Sequence, residues 1–228
     1  MATSPPATFG TEFLTWLRDT TERAWDQVED WALEDYERHG LIGARWQHGT
    51  RWTGGLDDAT IEKVEHRYGV TFPPQYRLFL QTLHSTTPWQ RCACYADPDN
   101  RGEALGEDRF TLHEHPGFYD WLHDETDIRE AMGRVEDRSA FAEEVAFHHG
   151  GSRWLPGGPS PALIPIFGHR YVVADDEEWV LSIVDEDAIV YGKDLRAYLL
   201  AELDDLLGWS ARPGPPGPDN QLTHKRQV

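Results

Sequence analysis

The sequence predicts an α+β fold in which helices pack on one face of a mostly antiparallel sheet. Apolar residues recur at three- and four-residue steps through the first third of the chain, the period of a helix with one buried stripe. The last third changes to short runs rich in Val, Ile and aromatics, punctuated by turn formers, which is the pattern of strands. Between them, GVTFPPQYRLFLQTL at residues 69–83 sets two prolines where one helix stops and another starts. The first turn of a helix has no use for the N–H that proline lacks, and proline's fixed φ suits helix entry.

Taken in order, residues 1–10 are small, polar and proline-containing, and are expected to be disordered. Residues 11–39 carry Trp25, Val28, Ala32 and Tyr36 on one stripe with Glu22, Asp26, Glu29 and Asp30 elsewhere, as one helix or as two if Thr20 and Thr21 break it. Gly40 is the stop. Residues 41–52 hold scattered aromatics and room for a short strand. In GGLDDATIEKVEHRYG, Asp57 or Asp58 caps a helix whose apolar side is Ile61, Val64 and Tyr68, ending at Gly69. Tyr76, Phe79, Leu80 and Leu83 then mark a helix with Pro74 near its first position.

Residues 84–117 read as a long surface excursion. Phe118, Trp121 and Leu122 open a short helix, and a further helix is expected over about residues 137–149, with Phe141, Val145 and His148 on one face before Gly150 and Gly151. PALIPIF, HRYVVA, WVLSIV and DAIVYG form an antiparallel meander, and Asp194 starts a closing helix carrying Leu195, Tyr198, Leu199, Leu203 and Leu206. Residues 11–209 thus make one domain, and the proline- and glycine-rich residues 210–228 are expected to be disordered.

The chain has 228 residues and a formal net charge of −19, from 21 Lys and Arg against 40 Asp and Glu. A field of that sign repels phosphate backbones and attracts basic partners, so no nucleic-acid partner is expected. Acidity alone also serves solubility, but here the acids cluster. They crowd residues 97–130, opposed only by Arg101, Arg109 and Arg129, and they fill Asp175, Asp176, Glu177, Glu178, Asp185, Glu186 and Asp187. The start of the chain lacks a basic-then-apolar leader and no run approaches the roughly 18 apolar residues of a membrane span, so a cytoplasmic protein without membrane attachment is expected.

No catalytic constellation is legible: G-x-S-x-G, G-x-x-x-x-G-K-[ST] and H-E-x-x-H are all missing, so no enzyme activity and no cofactor is expected. His149, Gly150, Gly151 and Ser152 have an oxyanion-loop flavour without a nucleophile, and Gly150 and Gly151 read better as a helix stop. Cys92, Cys94, His113 and His115 carry the sulfur and imidazole that zinc prefers, at loose C-x-C and H-x-H spacings. Reduced thiols in a cytosolic protein are the plainer reading of that pair, and no metal is assigned. Trp89, Trp121 and Trp179 are each bordered by acids. An aromatic anchor ringed by acids suits a basic partner, so the expected contact residues are Trp89, Asp97, Asp99, Trp121, Asp175, Asp176, Glu177, Glu178 and Trp179.

The run Gly69, Phe72, Pro73, Tyr76, Phe79 and Leu80, with Glu65 one helical turn upstream, followed by LIPIFGHRYVV, AIVYG and DLRAYL, resembles the SUKH superfamily of Smi/Knr cell-wall-regulator-like proteins. The resemblance spans about residues 56–207. It departs where the family's helix commonly ends in Asn-Gly, since His84 and Ser85 follow Leu83 here. It implies an α+β fold and a binding role: many bacterial members are similar to immunity proteins, which neutralise a cognate toxin domain, often a nuclease or deaminase, by direct contact. An acidic inhibitor suits a basic toxin surface through charge steering. The alternative from another class is a regulatory or scaffolding module that binds endogenous proteins.

Overall fold

In a computed structural model the protein is α+β, and its sheets are antiparallel. The structure describes residues 4–29, 43–88, 90–95, 110–115, 117–133, 162–174, 178–184 and 187–207, without the side chains of 43–45, 91–95, 110–115, 184, 187, 205 and 207. The expected helix over residues 137–149, the stop at Gly40 and the C-terminal tail lie outside the described residues.

Helix α1 is Thr11–Trp25. It ends at Trp25 with Asp26 as its C-cap, and the rest of the expected helical stretch from residue 30 lies outside the described residues. Thr20 and Thr21 do not break it, because the Thr21 hydroxyl bonds back to the Leu17 carbonyl at 2.8 Å and its oxygen also receives the Trp52 indole N–H at 2.9 Å. Residues 4–10, read from the sequence as disordered, are instead tied down: Arg196 donates two hydrogen bonds to the Pro6 carbonyl, and Phe9 lies against Phe13.

Strands β1 (Gly43–Arg45) and β2 (Arg51–Trp52) follow. Helix α2 is Asp58–Tyr68, and Asp57 rather than Asp58 caps it, accepting from the Thr60 N–H at 2.7 Å. Gly69 ends it at φ 65, the left-handed conformation that glycine adopts without a Cβ penalty. Helix α3 is Pro74–Thr82 with Pro74 in its first turn, so the paired prolines do separate two helices.

The stretch expected to be a surface excursion holds sheet structure instead. Strands β3 (Thr86–Thr87), β4 (Gln90–Tyr95) and β5 (Phe110–His115) pair so that β1–β4–β5 forms one sheet and β2–β3 a ribbon. Alternation failed as a signal there because the apolar residues of QRCACY fall on both faces of the strand and FTLHEH carries only Phe110 and Leu112. The helix expected from Phe118 begins later, as α4 (Glu125–Gly133): Phe118 makes a bridge to Phe167, and residues 121–123 form a turn.

The meander appears as read: β6 (Leu163–Phe167), β7 (Arg170–Val173), β8 (Val180–Val184) and β9 (Asp187–Gly192) lie in sequential order. The closing segment is α5 (Leu195–Glu202), capped by Asp194 through the Ala197 N–H, and α6 (Asp204–Leu207). One continuous apolar cluster runs from Phe13 in α1 to Leu203. At its centre Trp52 lies 4.9 Å from Phe118 and 5.9 Å from Phe79, and Phe118 lies 5.1 Å from Phe167. Helix α1 packs on α3, α6 and β2, while α4 covers β6 and α5 covers β9.

Candidate functional site

Two of the residues expected at a partner surface are interior. Trp121 is 0% exposed, and its indole N–H donates to the Tyr76 hydroxyl at 2.8 Å with Phe72 and Tyr68 edge-on around it. Glu178 is 2% exposed, and its carboxylate accepts the backbone N–H groups of Gln75 at 2.8 Å and Tyr76 at 3.0 Å. These are the free donors at the start of α3, since Pro74 has none and the Arg77 N–H already reaches the Pro73 carbonyl. Glu178 is therefore a long-range helix cap, more than 100 residues away in sequence. The negative end suits the positive pole of the helix. Glu65 completes the crossover, accepting from the Phe72 N–H and from Arg77.

Trp179 is half-buried against the core. Trp89, Asp97, Asp99, Asp175, Asp176 and Glu177 lie outside the described residues.

What remains of the acidic 97–130 segment is a surface built on a rigid turn. The Asp120 carboxylate accepts the Leu122 N–H at 2.9 Å and pairs with His123 Nδ1 at 2.9 Å, while Asp124 accepts the Asp120 N–H at 2.8 Å. That turn buries Trp121 and leaves its neighbour Leu122 38% exposed. On α4 next to it, Glu125, Asp127 and Glu130 add negative charge. The one base in that helix, Arg129, is already bonded to Glu125 at 2.8 Å and lies over the Tyr68 ring. The arrangement sets an exposed apolar side chain beside a cluster of acids.

Beneath the turn sits His84, buried, with a backbone φ of 64. Its Nε2 accepts the Trp121 backbone N–H at 3.2 Å, so in the neutral ring the proton is on Nδ1, 3.4 Å from the Thr53 hydroxyl. Burial lowers its pKa, against the opposing pull of Asp120 at 3.6 Å. His123 is raised by its hydrogen bond to Asp120, and Asp124 is raised by burial. Only the Trp121 position hinted at this cluster in the sequence; the Asp120–Asp124 closure depends on a turn that its residue types did not announce.

Among the described residues no group of three or more His, Cys, Asp or Glu side chains is placed to hold a metal, and the side chains of Cys92, Cys94, His113 and His115 fall outside that set. Among the described residues no helix is long and apolar enough to cross a membrane. Compared with family models, curated proteins and solved structures, the chain matches none of them.

Proposed function

We propose that the protein is a non-enzymatic, cytoplasmic bacterial immunity protein of the SUKH type that binds and neutralises a toxin domain with a basic surface. The observation that carries this reading is the face at residues 120–130: exposed Leu122 on a hydrogen-bonded turn, beside Glu125, Asp127 and Glu130, with Arg129 already engaged. A rigid apolar contact binds without first having to be ordered, and the surrounding acids steer a basic partner in. The residues that carry the sequence resemblance have structural roles. Glu65, Phe72, Pro73 and Tyr76 jointly form the crossover between α2 and α3, and His84 takes a left-handed backbone where the family commonly has Asn-Gly, residues that tolerate it best.

The test is affinity capture on the immobilised protein from its native host, at low and then raised salt, followed by an activity assay of the captured domain with and without the free protein. The expected outcome is a secreted-type protein with a basic toxic domain that loses activity when bound. The triple variant Glu125→Lys, Asp127→Lys, Glu130→Lys should slow association by about tenfold or more. Unchanged affinity in that variant would overturn the placement of the contact face. Capture only of housekeeping regulators, with no activity inhibited, would overturn the immunity reading in favour of a scaffolding role.

A further inference from the structure

The turn at residues 120–124 is held from beneath by one imidazole lone pair. Nε2 of His84, a side chain 3% exposed, accepts the Trp121 backbone N–H at 3.2 Å. An imidazole nitrogen accepts only while it carries no proton, and in the charged ring both nitrogens are donors. Two donors facing each other at that distance repel, and the buried N–H is left without an acceptor. The other acceptor within reach is Asp120, whose Oδ1 lies 3.6 Å from Nε2. That same oxygen holds the Leu122 N–H at 2.9 Å, while Oδ2 pairs with His123.

From this arrangement we propose that residues 120–124 are an acid-released latch: closed while His84 is neutral, and opened when a proton on Nε2 displaces the Trp121 N–H and draws Asp120 away from Leu122. In the closed form the Trp121 indole is held inside by the Tyr76 hydroxyl and Leu122 is held outside. In the open form the new N–H of His84 donates to the Asp120 carboxylate, a charge-assisted bond that repays part of the cost of burying the charge. The backbone N–H groups of Trp121 and Leu122 then lose their acceptors together, and the exposed Leu122 is no longer fixed. The change stays local, because Asp124 still accepts the Asp120 N–H and carries the chain into α4.

The charged groups on the turn side of the ring are Asp120, His123 and Asp124. From β2 it meets the Thr53 hydroxyl and from α3 the Phe79 carbonyl, neither of which titrates in this range. Burial keeps the ring neutral against the pull of Asp120, and a charged His123 adds to the effect of burial. Thr53, His84 and Asp120 also stand in the hydroxyl–imidazole–carboxylate order of a hydrolase, but the proton on Nδ1 faces the hydroxyl, which itself donates to the Ser85 carbonyl. No base is therefore available to activate Thr53, and the cluster is a switch, not a catalytic centre. The latch is a property of the free chain; only its use to release a partner rests on the contact face proposed above.

The experiment follows the full chain by NMR, with 15N in the histidine rings and the backbone amides, from about pH 8 down to about pH 4. At high pH His84 should be neutral with its proton on Nδ1. On acidification its ring nitrogens and the amides of Trp121 and Leu122 should move in one common step centred below the ordinary 6.5. His84→Gln, whose Oε1 offers an acceptor that does not protonate in this range, should keep the fold and abolish the step. Asp120→Asn, which removes the carboxylate favouring the charged ring, should move the step to lower pH, and His123→Asn should leave it in place with a higher midpoint. If His84→Gln does not fold, the parent and His123→Asn still decide the matter. The proposal is overturned if the two amides follow His123, if they stay still while His84 protonates, or if their step survives in folded His84→Gln. Global unfolding before His84 takes up a proton would overturn it as well.

Discussion

Removing the carboxylate of Glu178 isolates a contact that only the tertiary structure supplies. In Glu178→Ala the N–H groups of Gln75 and Tyr76 lose their acceptor. An unsatisfied buried donor costs about 1–3 kcal/mol. Taking about 2 kcal/mol for Tyr76, whose bond is buried, and about 1 kcal/mol for Gln75, which water reaches, the loss is about 3 kcal/mol. For a chain of this size that corresponds to a melting temperature lower by roughly 6–12 °C. Glu178→Gln keeps the shape and one acceptor oxygen but turns an amide N–H toward a donor, so about half the loss should remain. Glu178 also stands at φ 50, where glycine is at ease. Glu178→Gly should therefore be less damaging than Glu178→Ala by about 1 kcal/mol. Urea unfolding with matched m-values reads all three, with Asp26→Ala as the control: its pair with Arg51 is exposed and should matter by less than about 1 kcal/mol. A loss below about 1 kcal/mol in Glu178→Ala, or equal stability of the Gln variant and the parent, would refute the capping argument.

Acid should act through His84. Its folded pKa lies below the ordinary 6.5, so between that lowered value and 6.5 the unfolded chain binds more protons, and stability falls as pH drops through this window. His123, raised by its hydrogen bond to Asp120, contributes the opposite sign, its stabilisation being present below 6.5 and lost as pH rises through its raised value, and Asp124, raised by burial, likewise loses stabilisation as pH rises. Urea midpoints measured from about pH 5 to 8 should show a flatter acid limb in His84→Asn and a steeper one in His123→Ala; identical limbs in the parent and His84→Asn would contradict this. Two glycines separate backbone freedom from close packing. Gly69→Ala meets no atom within 4 Å and should lose about 1 kcal/mol from its left-handed φ alone. In Gly55→Ala the new Cβ would overlap the Gln81 carbonyl, so the loss should be clearly larger, and thermal melts reversing that order would disprove the steric reading.

Sequence alone determined the features that rest on local chemistry. The stop at Gly69, the start at Asp194, the proline entry to α3 and the four-strand meander depend on propensity, hydrogen bonding within a few residues and hydrophobic period, and these are written in the residue types themselves, whereas the choice of Asp57 over Asp58 as cap was left to the structure. Tertiary structure decided the rest. Glu178 belonged to an acidic run and looked like surface, yet a helix start distant in sequence takes its charge inside; Trp121 looked like an anchor between acids, yet the Asp120–Asp124 turn rotates it inward and presents Leu122 instead. Strands β4 and β5 show no clear period, and only the structure reveals that they pair, with Cys92 opposite His113 in register. A period or a cap is a property of neighbours along the chain, whereas burial, long-range capping and cross-strand register are properties of neighbours in space, which a linear pattern does not encode.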